Sequence, residues 1–299
     1  MTENSKKTKV ILDFDNTMGL PKHEIDDGLT LLYLLSREDI AVLGITTTFG
    51  NGSLEEVDKA TEALIAFIGK EIPVYSGARE HGKAGTDATQ FLVETVSAFP
   101  DEVTILAIGP LGNLGAAAEI DAGFFGKCKE IVCMGGMLKP MRLGWRDIDE
   151  LNFSSDPEGA YAVLRNQKCP VTVMNAHVCL DAVFGYFDMP RVLYMPKYVR
   201  RSIFKWLFVF GTYFGVFKFY LWDLLPAVYL PYPDLFESRR GKITSSVEDL
   251  EDGRLIFSET EKGNINMPSA IKDVKKFKKI LFRGWRMALD TIAAYTKKY

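Results

Sequence analysis

Val10-Ile11-Leu12-Asp13-Phe14-Asp15-Asn16, answered further on by Asp26-Asp27-Gly28-Leu29, is the stretch that decides how this chain folds. Val10-Ile11-Leu12 reads as a short buried strand running into Asp13. Asp13 and Asp15 are two apart, so an extended chain points both to the same side. Asp26-Asp27 stand directly before Gly28-Leu29 and the apolar run Leu31 to Leu35, which reads as a buried helix. All four acids can therefore converge where the carboxyl end of a strand meets the amino end of a helix. Four negative charges in so small a space repel one another unless a cation lies between them. Oxygen ligands of this kind suit a hard dication, Ca²⁺ or Mg²⁺. An Asp pair before a helix is also an ordinary amino-terminal cap with a favourable dipole. The neighbouring Asp13 and Asp15 favour the metal reading, because buried unpaired carboxylates are costly.

Outward from this corner, apolar β-branched runs alternate with helical patterns. Strands are expected at Val42 to Thr47, Pro73 to Tyr75, Val103 to Ile108, Glu130 to Met134 and Val171 to Met174. Helices are expected from about Asp27 to Ser36, from Leu54 to Gly69, from Gly109-Pro110 through Ala118, and after Asp156-Pro157-Glu158. Asp156 is suited to the cap and Pro157 to the first helical position. Alternation of this kind implies an α/β fold with an open, mostly parallel sheet and helices on both faces. Glycines and polar residues gather after the strands, where open sheets of this class bind ligands. No boundary is visible before about residue 180, and a single domain over 1–299 is expected, with 180–299 a helical, aromatic-rich cap of that same domain.

The bulk properties narrow the function. The 299 residues are 47% hydrophobic and carry a net charge of −3, which gives no general electrostatic case for nucleic acid. Cys128, Cys133, Cys169 and Cys179 have no C-x-x-C spacing, and His23, His81 and His177 no helical pair spacing for zinc. A reducing cytoplasm fits, and the polar, basic first residues are not expected to act as a signal peptide. Ile203 to Leu221 is rich in aromatics but broken by Lys205 and Lys218. It is expected to pack on the body, a lid or a subunit contact rather than to enter a membrane.

Two resemblances follow. Asp13-Phe14-Asp15-Asn16-Thr17 after an apolar strand resembles the first motif of haloacid-dehalogenase-type Mg²⁺ phosphatases, in which the first Asp attacks phosphate. No convincing later acidic motif of that family is present. A longer series of blocks is similar to the inosine-uridine-type nucleoside hydrolases. After the acid cluster come Ile45-Thr46-Thr47-Thr48-Phe49-Gly50-Asn51 and Ile105 to Leu114, with Gly109-Pro110-Leu111-Gly112-Asn113 inside it. Ile131 to Gly136 follows, then Glu150-Leu151-Asn152-Phe153 with Asp156-Pro157-Glu158, and last Trp222-Asp223 with Ala227. The blocks keep the family's order.

This second resemblance implies a Ca²⁺-dependent enzyme that hydrolyses the N-glycosidic bond of ribonucleosides on an open α/β fold. Asp15, Asp27, Asp223 and the Ile108 carbonyl would hold the ion, and Asp15 would also take the proton from water. Asp13 would support them from behind. Asp26, Asn51, Glu150 and Asn152 would bind ribose hydroxyls, Met134 would line the sugar, and His81 resembles a histidine near the base pocket. Trp222 stands where many members have a histidine, and resembles the purine-preferring branch, where stacking eases departure of the base. The resemblance further implies a nucleoside as small-molecule partner and a homodimer or homotetramer. The loop Thr17 to Glu24 is longer than the family's, and Lys139 to Gly144 lacks its usual pattern. A non-catalytic nucleoside- or sugar-binding relative is the remaining alternative. Asn113 is expected to cap a helix, and His23 to be exposed.

Overall fold

The protein was described from a computed structural model that covers residues 7–80 and 85–296. Strand β1 (Thr8–Phe14) leads into helix α1 (Asp26–Leu35), and β2 (Ile40–Thr47) into α2 (Leu54–Ile68). Next come β3 (Val74–Tyr75), α3 (Asp87–Ala98), β4 (Val103–Ala107), α4 (Gly112–Ile120), the short α5 (Phe124–Lys127) and β5 (Glu130–Met134). A hairpin of β6 (Met141–Leu143) and β7 (Arg146–Ile148) precedes α6 (Asn152–Ser155), α7 (Pro157–Arg165), β8 (Val171–Met174) and α8 (Ala176–Cys179). The remainder holds β9 (Val183–Gly185), α9 (Lys197–Phe214), β10 (Lys218–Tyr220), α10 (Leu224–Tyr229) and β11 (Arg240–Ile243). It ends with α11 (Val247–Glu251), β12 (Phe257–Glu259), β13 (Ile265–Asn266) and α12 (Val274–Thr296).

Among the described residues nine strands form one open sheet in the order β12-β11-β13-β8-β5-β4-β1-β2-β3. From β13 to β3 every neighbouring pair is parallel, and β11 and β12 add an antiparallel edge. The two faces sort by parity. Val10, Leu12, Phe14, Leu106 and Val132 belong to one apolar core, with residues of α1, α10 and α12. Ile11, Ile105, Ile131 and Val171 belong to the other, with α3, α4 and α7. Alternate side chains of a strand face opposite ways, so the near-continuous apolar strands are covered by helices on both sides. The Trp285 indole donates to the Leu29 carbonyl at 2.9 Å and ties α12 to α1.

The strands foreseen from β1 to β8 are present within a few residues of expectation. The stretch after residue 180 needs a correction, because it is not helical throughout: β11, β12 and β13 extend the main sheet. These strands have two to four residues, too short for a period of two to stand out. No helix among the described residues is long and apolar enough to cross a membrane.

Strand order reverses at β1, which has β2 on one side and β4 on the other. Crevices at such points, beyond the carboxyl ends of the strands, are where open α/β sheets take ligands. Asp13, one residue before the end of β1, stands in register with Thr46 of β2 and Ala107 of β4.

Candidate active site

The acids foreseen in the sequence gather at this crevice. Asp13 shares the parity of Ile11 and turns toward α4. Its Oδ1 accepts from the Thr46 hydroxyl at 2.5 Å and from the Asn113 amide at 2.7 Å. Asn113 also donates to the Thr47 carbonyl, so it clamps Asp13 to β2 instead of capping α4. That corrects the capping expectation: the side chain reaches back across the sheet end because α4 packs there. Asp15, just past β1, donates its amide to Asp27 at 3.3 Å and accepts the Asn51 amide on Oδ2 at 2.6 Å. Gly50 makes that approach possible, since a Cβ there would lie 2.2 Å from the same oxygen. Asn51 further donates its side-chain amide to Asp27 at 3.5 Å.

Asp26 and Asp27 open α1, and Asp223 stands at the entry to α10. Helix amino ends favour negative charge. The Asp223 amide donates to Asp26 at 3.2 Å. One carboxylate oxygen from each of Asp26, Asp27 and Asp223 lies within 4.8 Å of the others, and all three residues are buried. Asp15 adjoins this trio through Asp27. Glu24, which the sequence reading passed over as the end of the lengthened loop, raises the charge of the cluster further. Its place two residues before Asp26 was the one available signal.

Burial works against ionisation throughout. It pushes Asp13 and Asp15 up to about 7, and Asp26 up to about 6. Asp27, Asp223 and Glu24 are raised by burial and then by the neighbouring carboxylates. Oδ2 of Asp13, Oδ1 of Asp15 and Oδ1 of Asp26 are buried without a hydrogen-bond partner among the described residues. Orphaned, mutually repelling oxygens are what a dication would satisfy, and an all-oxygen donor set fits a hard one. The residues thus fit a bound metal ion.

The ends of β4 and β5 meet at Asn152. Its amide donates to the carbonyls of Ile108 at 3.0 Å and Met134 at 3.1 Å. The Ile108 oxygen keeps a second lone pair for another ligand. Glu150 lines the cavity, while its carboxylate accepts the amides of Gly136, Asn152, Phe153 and Ser154 at 2.9–3.1 Å. Burial still raises its pKa.

Ile108, Met134, Glu150 and Asn152 line a cavity of about 610 Å³ together with Glu24, Asn51 and Asp223. Trp206, Phe210, Tyr213 and Phe214 of α9 line it as well, with Trp222. Trp222 is buried and stands 5.0 Å from the Tyr220 ring. The sequence left the aromatic stretch from Ile203 to Leu221 open between the body, an active-site lid and a subunit contact, because nothing local tells a ring facing a cavity from one facing a core. The β6–β7 hairpin adds Leu143, from the stretch that lacks the family's usual pattern, and Ile148. His81 lies outside the described residues.

Fold and site together define an open α/β enzyme whose acids, at the switch point of the sheet, face an aromatic wall across a cavity. Residues 10–279 match the family model described as inosine-uridine preferring nucleoside hydrolase, and the chain belongs to that family. It is accordingly an N-glycosyl hydrolase of nucleosides. It is 30% identical to a probable uridine nucleosidase 1 of Oryza sativa subsp. japonica over 338 aligned positions, covering 99% of this chain and 97% of that one. Among solved structures, a plant nucleoside hydrolase (PpNRh1) superposes with a TM-score of 0.81 at 21% identity, over 93% of this chain and 98% of that one. A purine-preferring ribonucleoside hydrolase from Gardnerella vaginalis gives 0.78 at 21% identity, over 94% and 99%. The phosphatase resemblance is overturned: the family is another, and Asp13, its would-be nucleophile, is fully buried and pinned by Thr46 and Asn113.

Proposed function

We propose that the chain cleaves ribonucleosides to free base and ribose with Ca²⁺ as cofactor, and that purine nucleosides are preferred. The observation that carries this is the buried acid cluster, in which Asp26, Asp27 and Asp223 meet, Asp15 adjoins through Asp27, and Asp223 lines the same cavity as the rings of α9. Asp15, Asp27, Asp223 and the Ile108 carbonyl would hold the ion. When bound, it supplies Lewis acidity that makes water a nucleophile near neutral pH. Asp15 accepts the proton of the attacking water through Oδ1, the oxygen left without a partner, while Asn51 fixes Oδ2. Asp13, held by Thr46 and Asn113, supports the site from behind.

Asp26, Asn51, Glu150 and Asn152 bind the ribose hydroxyls, and Met134 lines the sugar. Cleavage leaves positive charge on the ribose ring, as in glycoside hydrolysis, and the surrounding carboxylates favour it. Strand ends and helix starts hold these groups rigidly, which is where a positioning gain comes from. Trp222 stacks on the departing base. A stacked ring contributes about 1–3 kcal/mol, and His81 or water supplies the proton.

A pyrimidine preference is the second reading, favoured by the relative named as a probable uridine nucleosidase. A panel of nucleosides assayed for free base, with and without chelator, tests both. Inosine and guanosine should lead, and chelation should stop turnover. Unchanged turnover in chelator would end the metal assignment, and uridine in first place would end the purine one. We further hold the chain to be one folding unit over 1–299, acting in the cytoplasm as a homodimer or homotetramer. Sedimentation measures the last directly.

A further inference from the structure

The larger cavity shares Lys22 and Trp206 with a second cavity of about 460 Å³. Its walls are the lengthened loop, from Gly19 to Ile25, and the first half of α9. Lys22, His23, Lys197, Arg201 and Lys205 line it, and among the described residues no Asp or Glu does. Lys197, Arg201 and Lys205 recur every fourth residue and so form one stripe of α9. Like charges at that spacing destabilise a helix. Neither the stripe nor Lys22 has a carboxylate within ion-pair distance among the described residues. His23 turns Nδ1 to the Pro21 carbonyl at 2.9 Å and lies in the field of Glu56, which does not line the cavity.

The loop is held in place by contacts other than these cations. The Tyr198 hydroxyl donates to the Met18 carbonyl at 2.8 Å, and the Thr17 hydroxyl to the Glu24 carbonyl at 3.1 Å. Gly19, at φ +103°, lies under the Tyr198 ring, where a Cβ would come 2.9 Å from the hydroxyl oxygen. Lys22 has φ +66°, a left-handed conformation unusual for a residue other than glycine. Such conformations persist where the surroundings fix them, and they cluster at ligand sites.

We infer that the second cavity is a phosphate site, in which Lys22 and the Lys197, Arg201 and Lys205 stripe hold a phosphomonoester dianion. A cavity walled by fixed backbone, lined by unpaired cations and free of acids complements that charge. One source is a substrate that spans both cavities, a nucleoside 5′-monophosphate. Its sugar would lie against the acids and its phosphate beyond Lys22 and Trp206, away from carboxylates that would repel it. This source rests on the nucleoside hydrolase reading; the anion site itself does not. In that case water adds at C1′, the C1′–N bond breaks and the base leaves with the electron pair and gains a proton. The phosphate ester stays intact, so the products are free base and ribose 5-phosphate. The other source is free phosphate.

Calorimetric titration of the whole protein with inorganic phosphate, at calcium stoichiometric to protein, tests the site. Saturable binding is expected, weakened about tenfold or more in Arg201→Ala/Lys205→Ala and further in Lys197→Glu. These side chains are exposed, and circular dichroism checks that the variants fold. Uridine and inosine are then compared with their 5′-monophosphates. A higher kcat/KM for the nucleotide, lost in the double variant, identifies the substrate as the source. Phosphate binding without nucleotide preference identifies free phosphate. Absence of saturable phosphate binding, or equal affinity in wild type and variants, overturns the site even if nucleosides are cleaved. Phosphate binding without nucleoside cleavage leaves the site standing and removes the catalytic reading instead.

Discussion

The acid cluster and the aromatic wall of α9 are built differently. At the acid end, Asp13, Asp15, Ile108 and Met134 stand on or just past parallel strands, where register and parity set each direction. Their neighbours Thr46, Asn113, Asn51 and Asn152 fix them with hydrogen bonds. At the aromatic end, rings hold rings. Trp206 meets Phe210 at 5.7 Å, Phe210 meets Phe214 at 4.5 Å, and Tyr220 meets Trp222 at 5.0 Å. Apolar burial is non-directional and tolerates swaps that keep volume; a buried charged cluster does not tolerate the loss of a member. The rigid end should therefore govern whether the reaction happens, and the ring-built end which base is accepted.

The largest effect should come from Asp15→Asn, which keeps shape and removes the acceptor. A fall in kcat of about 10³-fold is expected, within the range for a positioned base. Phe210→Ala should leave kcat within a few-fold and change KM. Equal losses of kcat at the two ends, read by free-base release, would break the comparison.

Metal removal should be felt at the acid end alone. Burial holds Asp13 and Asp15 near 7 and Asp26 near 6 in the metal-free fold, above their unfolded values. Raised carboxylate pKa values mean a contribution to stability that is fully present below about pH 4 and is lost as pH climbs through 6 to 7. Chelated protein should thus lose thermal stability between pH 5 and 8. The gain in Tm on adding Ca²⁺ should widen over the same interval, as protons cease to compete. Differential scanning fluorimetry reads both, and a gain that shrinks toward pH 8 would contradict the buried-ligand account.

Asn113→Ala should cost about 1–3 kcal/mol, the range for leaving a buried acceptor unsatisfied. Urea denaturation measures it, and a neutral result would show that Asp13 finds another partner. Trp222→Ala should sharpen the contrast most finely. Loss of about 1–3 kcal/mol of stacking should lower kcat/KM for inosine more than for uridine. Equal losses would make Trp222 a packing residue and remove the purine preference.

Most of the acid end was legible beforehand because its information is local. Asp13 and Asp15 lie two apart at the end of an apolar strand, and Asp26-Asp27 directly precede an apolar helix. Asn113 was misread because its partner Asp13 is a hundred residues away in sequence. Glu24 was hidden in a loop with no period to orient it. The α9 wall was seen as aromatic, but a helix buried on one side and exposed on the other, as Phe208 is at 64%, does not announce which rings face a cavity.

Sequence by itself determined the alternation of strands and helices, the parallel sheet and the pooling of carboxylates at its rim, since periodicity and neighbouring charge are written along the chain. Tertiary structure alone decided that Asp26 joins Asp27 and Asp223 in one trio, that β11 to β13 extend the sheet, and that the loop from Gly19 to Ile25 faces α9 across a basic cavity. Those contacts join segments far apart in sequence, and only packing of the whole chain selects among the partners each could have found.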